Sequence, residues 1–305
     1  MELRHLRYFL AVAQEGNFTR AAEILGIAQP PLSRQIRELE RELGVELFDR
    51  QSRPIVLSDA GRLLLEHAQR VMNATRLLKV AVEQHRLGGG KRFVIGFVGS
   101  TIYGPVPDLI RRFREAAPQV EVDLVEMNTV VQIAALKAGR IDAGFGRLRF
   151  EDPAIQRRLI ARERLLMALP ANHPRGLEGG QPISLTHVSG EMLILYPNEP
   201  RPSYADQLLA VLEDHGVQPG STREVRELQT ALGLVAAGAG IAIVPAAVQR
   251  LRRDDVVYRP IAERDAISPI IVSWRLADQS ELTRLLERLC VELEQGMMAA
   301  PLMTG

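Results

Sequence analysis

The hydrophobic periodicity of this 305-residue chain changes once, at Leu87-Gly88-Gly89-Gly90, and that break divides it into separately folded units. Before it, apolar residues recur every three or four positions, as on one face of a helix. After it, short apolar runs alternate with amphipathic segments, as strands alternate with helices in an α/β fold.

Leu6, Phe9, Leu10 and Ala13 form a helical stripe that stops at Gly16. Asn17 suits the cap of a second helix, Phe18 to Leu25, which carries Ala21 and Ala22 where a close crossing needs small side chains and ends at Gly26. A tight turn leads to a third helix. Pro30 and Pro31 fit its first turn, where a missing N–H costs nothing, and Leu32, Ile36, Leu39 and Leu43 are its buried stripe. Past Gly44, the apolar pieces Val45 to Phe48 and Ile55 to Leu57 flank Asp49 to Pro54, which predicts a two-stranded wing tipped by Arg50 and Arg53. Residues 1–58 are thus expected to be a winged helix-turn-helix domain. Ser58 suits the cap of a long helix, and residues 59–90 read as a linker helix and hinge. Leu64, Ala68, Val71, Thr75, Leu78 and Val82 repeat in that helix at coiled-coil spacing, which favours a dimer seam over packing on its own domain.

From Phe93 the expected strands are Phe93 to Val98, Val120 to Val125, Ile141 to Gly146, Leu165 to Leu169, Leu193 to Tyr196, Ile241 to Val244 and Ile270 to Trp274. Helices are expected near 106–115, 130–138, 205–215, 228–237 and 281–294. Parallel sheet in two lobes is implied, lobe I from about 91–162 and 265–305 and lobe II from about 163–264, with a ligand cleft between them.

Composition excludes more than it assigns. The formal net charge is +1, and residues 1–58 hold eight arginines against eight acids, so only position can create a basic surface. Gln29 to Arg37 contains two arginines and no acid, whereas acids crowd the segment after it. No apolar run suits a bilayer span, and no export signal is visible, which points to the cytoplasm. The single cysteine, Cys290, leaves no intramolecular disulfide or Cys-based cluster. No Walker loop, GxSxG elbow or HExxH motif appears, and the histidines are scattered, so neither an enzyme nor a metal protein is expected.

Leu3-Arg4-His5-Leu6-Arg7-Tyr8-Phe9, Asn17-Phe18-Thr19-Arg20-Ala21-Ala22 and Ala28-Gln29-Pro30-Pro31-Leu32-Ser33-Arg34-Gln35-Ile36 together resemble the DNA-binding signature of LysR-type transcriptional regulators. Leu57-Ser58-Asp59-Ala60-Gly61 continues the match. The resemblance implies a periplasmic-binding-protein-like effector domain and a dimer of dimers on an inverted repeat in promoter DNA, acting on RNA polymerase as an activator. Phe97-Val98-Gly99-Ser100, Gly139 to Arg147, Tyr196-Pro197 and Arg201-Pro202-Ser203-Tyr204 are similar to the regulators of catechol and benzoate degradation that respond to cis,cis-muconate. Chlorinated muconates, benzoate and other aromatic acids stay open as effectors. The α/β half alone also resembles a solute-binding protein, the reading that the DNA-binding signature disfavours.

Given the resemblance, the third helix enters the major groove, with Gln29, Ser33 and Arg34 at base edges and Pro30 and Pro31 facing thymine methyls. Thr19, Arg20 and Arg50 are expected at phosphates and Arg53 in the minor groove. For the effector, Ser100 and Thr101 follow one strand and Asn128 and Thr129 another, each pair opening a helix. Both pairs suit a carboxylate, although plain capping accounts for them equally. Pro202, Ser203 and Tyr204 are expected to close from the second lobe, with Phe145 and Pro105 as an apolar wall. Arg147 and Glu227 are expected to pair across the lobes as a switch. No cofactor or metal is expected.

Overall fold

A computed structural model describes residues 1–49, 52, 54–86, 91–177 and 181–299. It falls into two compact units, Met1–Gly89 and Gly90–Gly305.

In the first unit, α1 (Leu3–Glu15), α2 (Phe18–Leu25) and α3 (Gln29–Leu43) pack into a trihelical core. The Asn17 carboxamide accepts hydrogen bonds from the amides of Thr19 and Arg20 and so starts α2. Gly26 ends it in the left-handed conformation, φ 66°, which lets the chain turn at once into α3. Leu6, Phe9 and Val12 meet Leu32, Ile36 and Leu39 over the small Ala21 and Ala22, all buried.

The wing is shorter than expected. Its strands are β1 (Phe48–Asp49) and β2 (Val56–Leu57), antiparallel with Phe48 opposite Leu57. Residues 45–47 stay out of the ladder because their backbone groups are engaged elsewhere. The Glu40 carboxylate accepts from the Leu47 amide, and Ser58 donates to Glu46 O and Leu47 O. Phe48 instead anchors the wing, with ring centroids 5.3 Å from Phe9 and 5.9 Å from Phe18. Arg50 and Arg53 lie outside the described residues.

Helix α4 (Asp59–Arg86) corrects the seam. Its first turns pack on α1, with Ala68 buried and Leu64 half-buried in the domain core, so these two are not free to meet a partner helix. Val71, Leu78 and Val82 are exposed, and Thr75 folds its hydroxyl back onto Val71 O.

The second unit is built on one seven-stranded sheet. β3 (Arg92–Phe97) leads through a 3₁₀ turn (Gly99–Tyr103) to α5 (Val106–Ala116), then β4 (Glu121–Glu126), α6 (Thr129–Lys137) and β5 (Ala143–Gly146). Next come β6 (Ile155–Pro170), a short α7 (Pro174–Leu177), β7 (Met192–Leu195), α8 (Tyr204–Asp214), β8 (Ser221–Glu224) and α9 (Leu228–Ala236). β9 (Ala242–Pro245), β10 (Val256–Pro260), β11 (Ile267–Arg275) and α10 (Glu281–Ala299) complete it. The sheet runs β10-β6-β11-β5-β3-β4, with β9 also on β6, while β7 and β8 form a separate parallel pair.

Within that sheet, parallel pairing is confined to β3 with β4 and β3 with β5, and the other pairs are antiparallel, which corrects the expected parallel sheet to a mixed one. β6 and β11 run antiparallel to each other, and β6 passes from one lobe into the other. Its first half, Ile155–Arg164, was not expected as a strand because Arg157, Arg158, Arg162, Glu163 and Arg164 break its apolar pattern. Antiparallel pairing tolerates this, since one face of such a strand need not be buried.

Each lobe has its own core. Lobe I gathers Phe93, Ile95, Leu109, Phe113, Phe145, Trp274 and Leu286. Lobe II draws its core from Leu165 to Ala266, including Leu193, Leu208, Leu232 and Ile243.

Two outcomes test this packing. A Cβ at Gly61 would lie 2.1 Å from Leu47 O and 2.9 Å from Leu57 Cδ2. Gly61→Ala is therefore expected to lower the stability of the first unit by about 1–3 kcal/mol in urea unfolding; a shift under about 0.5 kcal/mol would contradict the packing. Burial pushes the Cys290 thiol up to about 12, so it stays protonated and unreactive. Iodoacetamide at pH 8 is expected to label Cys290 only after unfolding, as read by mass spectrometry.

Candidate functional site

On the first unit, Thr19, Arg20, Gln29, Pro30, Pro31 and Arg34 are exposed, and Ser33 is half-buried. Thr19 and Arg20 stand on α2, and the first turns of α3, which carry Gln29 to Arg34, are set by Leu32 and Ile36, whose burial turns the residues between them outward. Ala28 caps α3 without a side-chain hydrogen bond, so nothing from the cap covers this end. Gln29 Nε2 donates to Ser33 Oγ at 2.8 Å, one turn along, which ties two of the expected readers together. Arg20 lies 3.4 Å from Glu15 and is 72% exposed, an ion pair too open to hold the guanidinium away from another anion.

On the second unit, the expected effector residues separate into those that are spent on the fold and those that converge. Thr101 is fully buried and donates its hydroxyl to Val98 O at 2.7 Å, closing the 3₁₀ turn. Asn128 accepts from the Val131 amide at 3.0 Å, as an ordinary cap of α6. Ser203 caps α8, accepting from Ala205 N at 3.2 Å and donating to Pro197 O at 2.8 Å. Pro202 is exposed, and Pro105 is half-buried at the start of α5. Phe145 is corrected from the cleft wall to the lobe I core. Gly144 and Gly146 press on Gln132 and Thr129 of α6, so by strand alternation Phe145 points to the opposite face.

Ser100, Thr129 and Arg147 do converge. Arg147, at the end of β5, is 1% exposed. Its Nε donates to Ser100 Oγ at 2.7 Å, Nη2 to Ser100 O at 3.1 Å, and Nη1 to Ser268 Oγ at 3.2 Å. Its backbone amide donates to Thr129 Oγ1 at 3.3 Å. The hydroxyls of Ser100 and Thr129 therefore act as acceptors towards Arg147, which leaves the O–H of each to donate to an anion.

The partner of Arg147 is not Glu227. Glu227 is exposed at the start of α9, whereas Glu163 on β6 brings Oε2 to 2.6 Å from Arg147 Nη2 with its side chain 11% exposed. That approach is not aligned as a hydrogen bond, so charge carries the attraction. Register explains the substitution of partners. Glu163 lies opposite Ser268 on β11, and β11 also borders β5, so three adjacent strands deliver Arg147, Ser268 and Glu163 to one point. The sequence contains the signal only as a lone acid between Arg162 and Arg164.

Lobe II supplies two phenols. The ring of Tyr204 packs on Tyr196 at 5.3 Å and 41°, rather than standing free to stack on a ligand. Both hydroxyls are buried without an aligned partner. Burial pushes both phenols well above their ordinary range and Arg147 draws them back, which places them in the field of the same guanidinium and keeps them neutral donors. Between the lobes, Arg250 donates to Tyr103 O at 2.8 Å, and Tyr103 packs on the lobe II core. Two open hollows of this unit lie elsewhere, one of about 540 Å³ beside α5 and β4 and one of about 300 Å³ inside lobe II. Chemistry rather than hollow size identifies the candidate site, because neither hollow contains a titratable group as fully buried as Arg147.

Comparison with known proteins accords with this division. Residues 3–62 match the bacterial regulatory helix-turn-helix of the LysR family, and residues 88–295 match the LysR substrate binding domain. The chain is 48% identical over 293 residues to a probable cat1 operon transcriptional activator of Acinetobacter lwoffii, covering 96% of both chains. It is 44% identical over 280 residues to the HTH-type transcriptional regulator BenM of Acinetobacter baylyi, covering 92% of each. The structure of the BenM effector binding domain with its effector benzoate matches at TM-score 0.65 and 40% identity, over 69% of this chain and 95% of that one. Full-length CbnR complexed with its target DNA matches at TM-score 0.62 and 32% identity, over 96% and 100%. The chain belongs to the LysR family of transcriptional regulators, with a DNA-binding helix-turn-helix ahead of a LysR substrate binding domain.

Proposed function

We propose that this regulator activates a promoter of aromatic-acid breakdown in response to a small dicarboxylate, with cis,cis-muconate as the effector. The observation that carries this reading is the pair of hydroxyls, Ser100 and Thr129, both buried, both accepting from Arg147 and both left with a proton to donate. A carboxylate placed there gains two O–H donors in a positive field. The neutral phenols of Tyr196 and Tyr204 offer donors from the other lobe, which suits a second carboxylate at the far end of a short, rigid molecule. Benzoate is the second reading, because it is the effector in the related BenM structure.

Switching follows from competition for charge. In this structure Arg147 is held by Ser100, Ser268 and Glu163. A carboxylate on the Ser100 hydroxyl shares that guanidinium and weakens its hold on Glu163, which stands on the strand that joins the lobes. The effector then favours one lobe arrangement over another through differential affinity, which is what a population shift requires.

At the DNA end, Gln29, Pro30, Pro31, Ser33 and Arg34 form the reading surface, with Thr19 and Arg20 at the backbone. One such head covers few base pairs, so a dimer on an inverted repeat is needed. The exposed face of Val71, Leu78 and Val82 suits that contact, and a dimer of dimers is the expected assembly. The regulator works where promoter DNA is, in the cytoplasm.

Calorimetric titration of the full chain tests the effector. Saturable binding of cis,cis-muconate is expected, tighter than benzoate and tighter than the flexible adipate. Ser100→Ala and Thr129→Ala are each expected to weaken it about tenfold, the worth of one hydrogen bond to a charged group, without changing operator affinity. Arg34→Ala should do the reverse, costing about 1–3 kcal/mol of operator binding in a gel-shift assay and leaving muconate affinity intact. Loss of both activities in either class of variant would contradict the assignment of two sites.

A further inference from the structure

Lobe II holds a half-enclosed cavity of about 300 Å³ that shares no residue with the Arg147 cluster. That volume lies at the lower end of the range for small-molecule pockets, roughly 300–1,000 Å³. Its floor is apolar: Met167 and Leu169 from β6, with Ile183 and Ile241 beside them, all buried. Apolar walls with a thioether favour an aromatic ring.

The polar groups at the rim decide what the ring must carry. His173 Nδ1 accepts from the Arg175 amide at 3.2 Å, so the neutral ring carries its proton on Nε2 and gives it to Glu191 Oε1 at 3.2 Å. His187 Nδ1 faces Ser184 O at 3.0 Å, so its proton sits there and Nε2 is left as an acceptor. Glu191, with its side chain 36% exposed, has a second carboxylate oxygen beyond the one that His173 uses. The rim thus presents a carboxylate and an imidazole lone pair, both of which call for O–H or N–H donors. Arg175 lines the cavity too and offsets the charge of Glu191, so the rim as a whole favours a neutral ligand over an ion.

We propose that this cavity is a second ligand site, for a neutral hydroxylated aromatic whose ring lies on Met167, Leu169, Ile183 and Ile241 and whose hydroxyls donate to Glu191 and His187. It is chemically distinct from the cleft between the lobes, where hydroxyls and a guanidinium select an acid. The two sites would let one protein sense a phenol and a carboxylate separately.

Calorimetric titration of the full-length protein with catechol as the probe, and benzoate as the comparator, tests this. Catechol is expected to give saturable heat, weakened at least about tenfold in Glu191→Gln and in His187→Phe, and to bind more tightly than benzoate to this site. Glu191→Gln keeps the size of the side chain and an acceptor for His173, so the variant is expected to keep the wild-type circular dichroism spectrum. No saturable heat with catechol would overturn the proposal. So would catechol heat that falls in Ser100→Ala and not in Glu191→Gln, which would put the ligand in the cleft. Benzoate heat that is lost in Glu191→Gln and exceeds that of catechol would overturn the assigned chemistry.

Discussion

A guanidinium sealed from water must find a partner along every edge, and the effector unit is organised around satisfying Arg147. Removing one partner from such a charge costs several kcal/mol, whereas an equivalent pair at the surface contributes little. This asymmetry ties the strand order to the chemistry. β5 carries Arg147 inward, β11 sets Ser268 beside it, and β6 brings Glu163 opposite Ser268. The 3₁₀ turn after β3 adds Ser100, and α6 adds Thr129. The residues proposed to hold the effector are therefore the same ones that satisfy the buried charge, so a ligand bound there would alter that balance.

The first unit rests on a different constraint. Its helices are short, and short helices hold their shape through tertiary packing more than through propensity. Phe48 does much of this by reaching from the wing to Phe9 and Phe18. Once that core is fixed, Leu32 and Ile36 set the rotation of α3, and Gln29, Pro30, Pro31 and Arg34 are held outward. The proposed reading residues thus depend on a core they do not belong to.

Much of this was legible in the residues, for identifiable reasons. Gly16, Gly26 and Gly44 punctuate the helices with a local signal, and Asn17 and Ser58 cap through contacts within a few residues. The α/β alternation is likewise a local pattern. What escaped depends on distant register. Glu163 became the partner of Arg147 only because β6 and β11 pair antiparallel, and a polar half-strand such as Ile155–Arg164 has no periodicity to announce it. Glu227 was the natural expectation from its place at a helix start, yet it is exposed. The seam on α4 shows the same limit. Leu64 and Ala68 share the coiled-coil spacing of Val71, Leu78 and Val82, and spacing cannot say which turns are already covered by α1.

The central claim is that effector binding draws on the charge pair between Arg147 and Glu163. The most direct measurement is a double-mutant cycle on Arg147→Met and Glu163→Gln, read by urea unfolding of the effector unit with and without saturating cis,cis-muconate. The account predicts a coupling of more than about 1 kcal/mol without muconate and less than half of that with it. A coupling that is the same in both conditions, or absent without muconate, would contradict it.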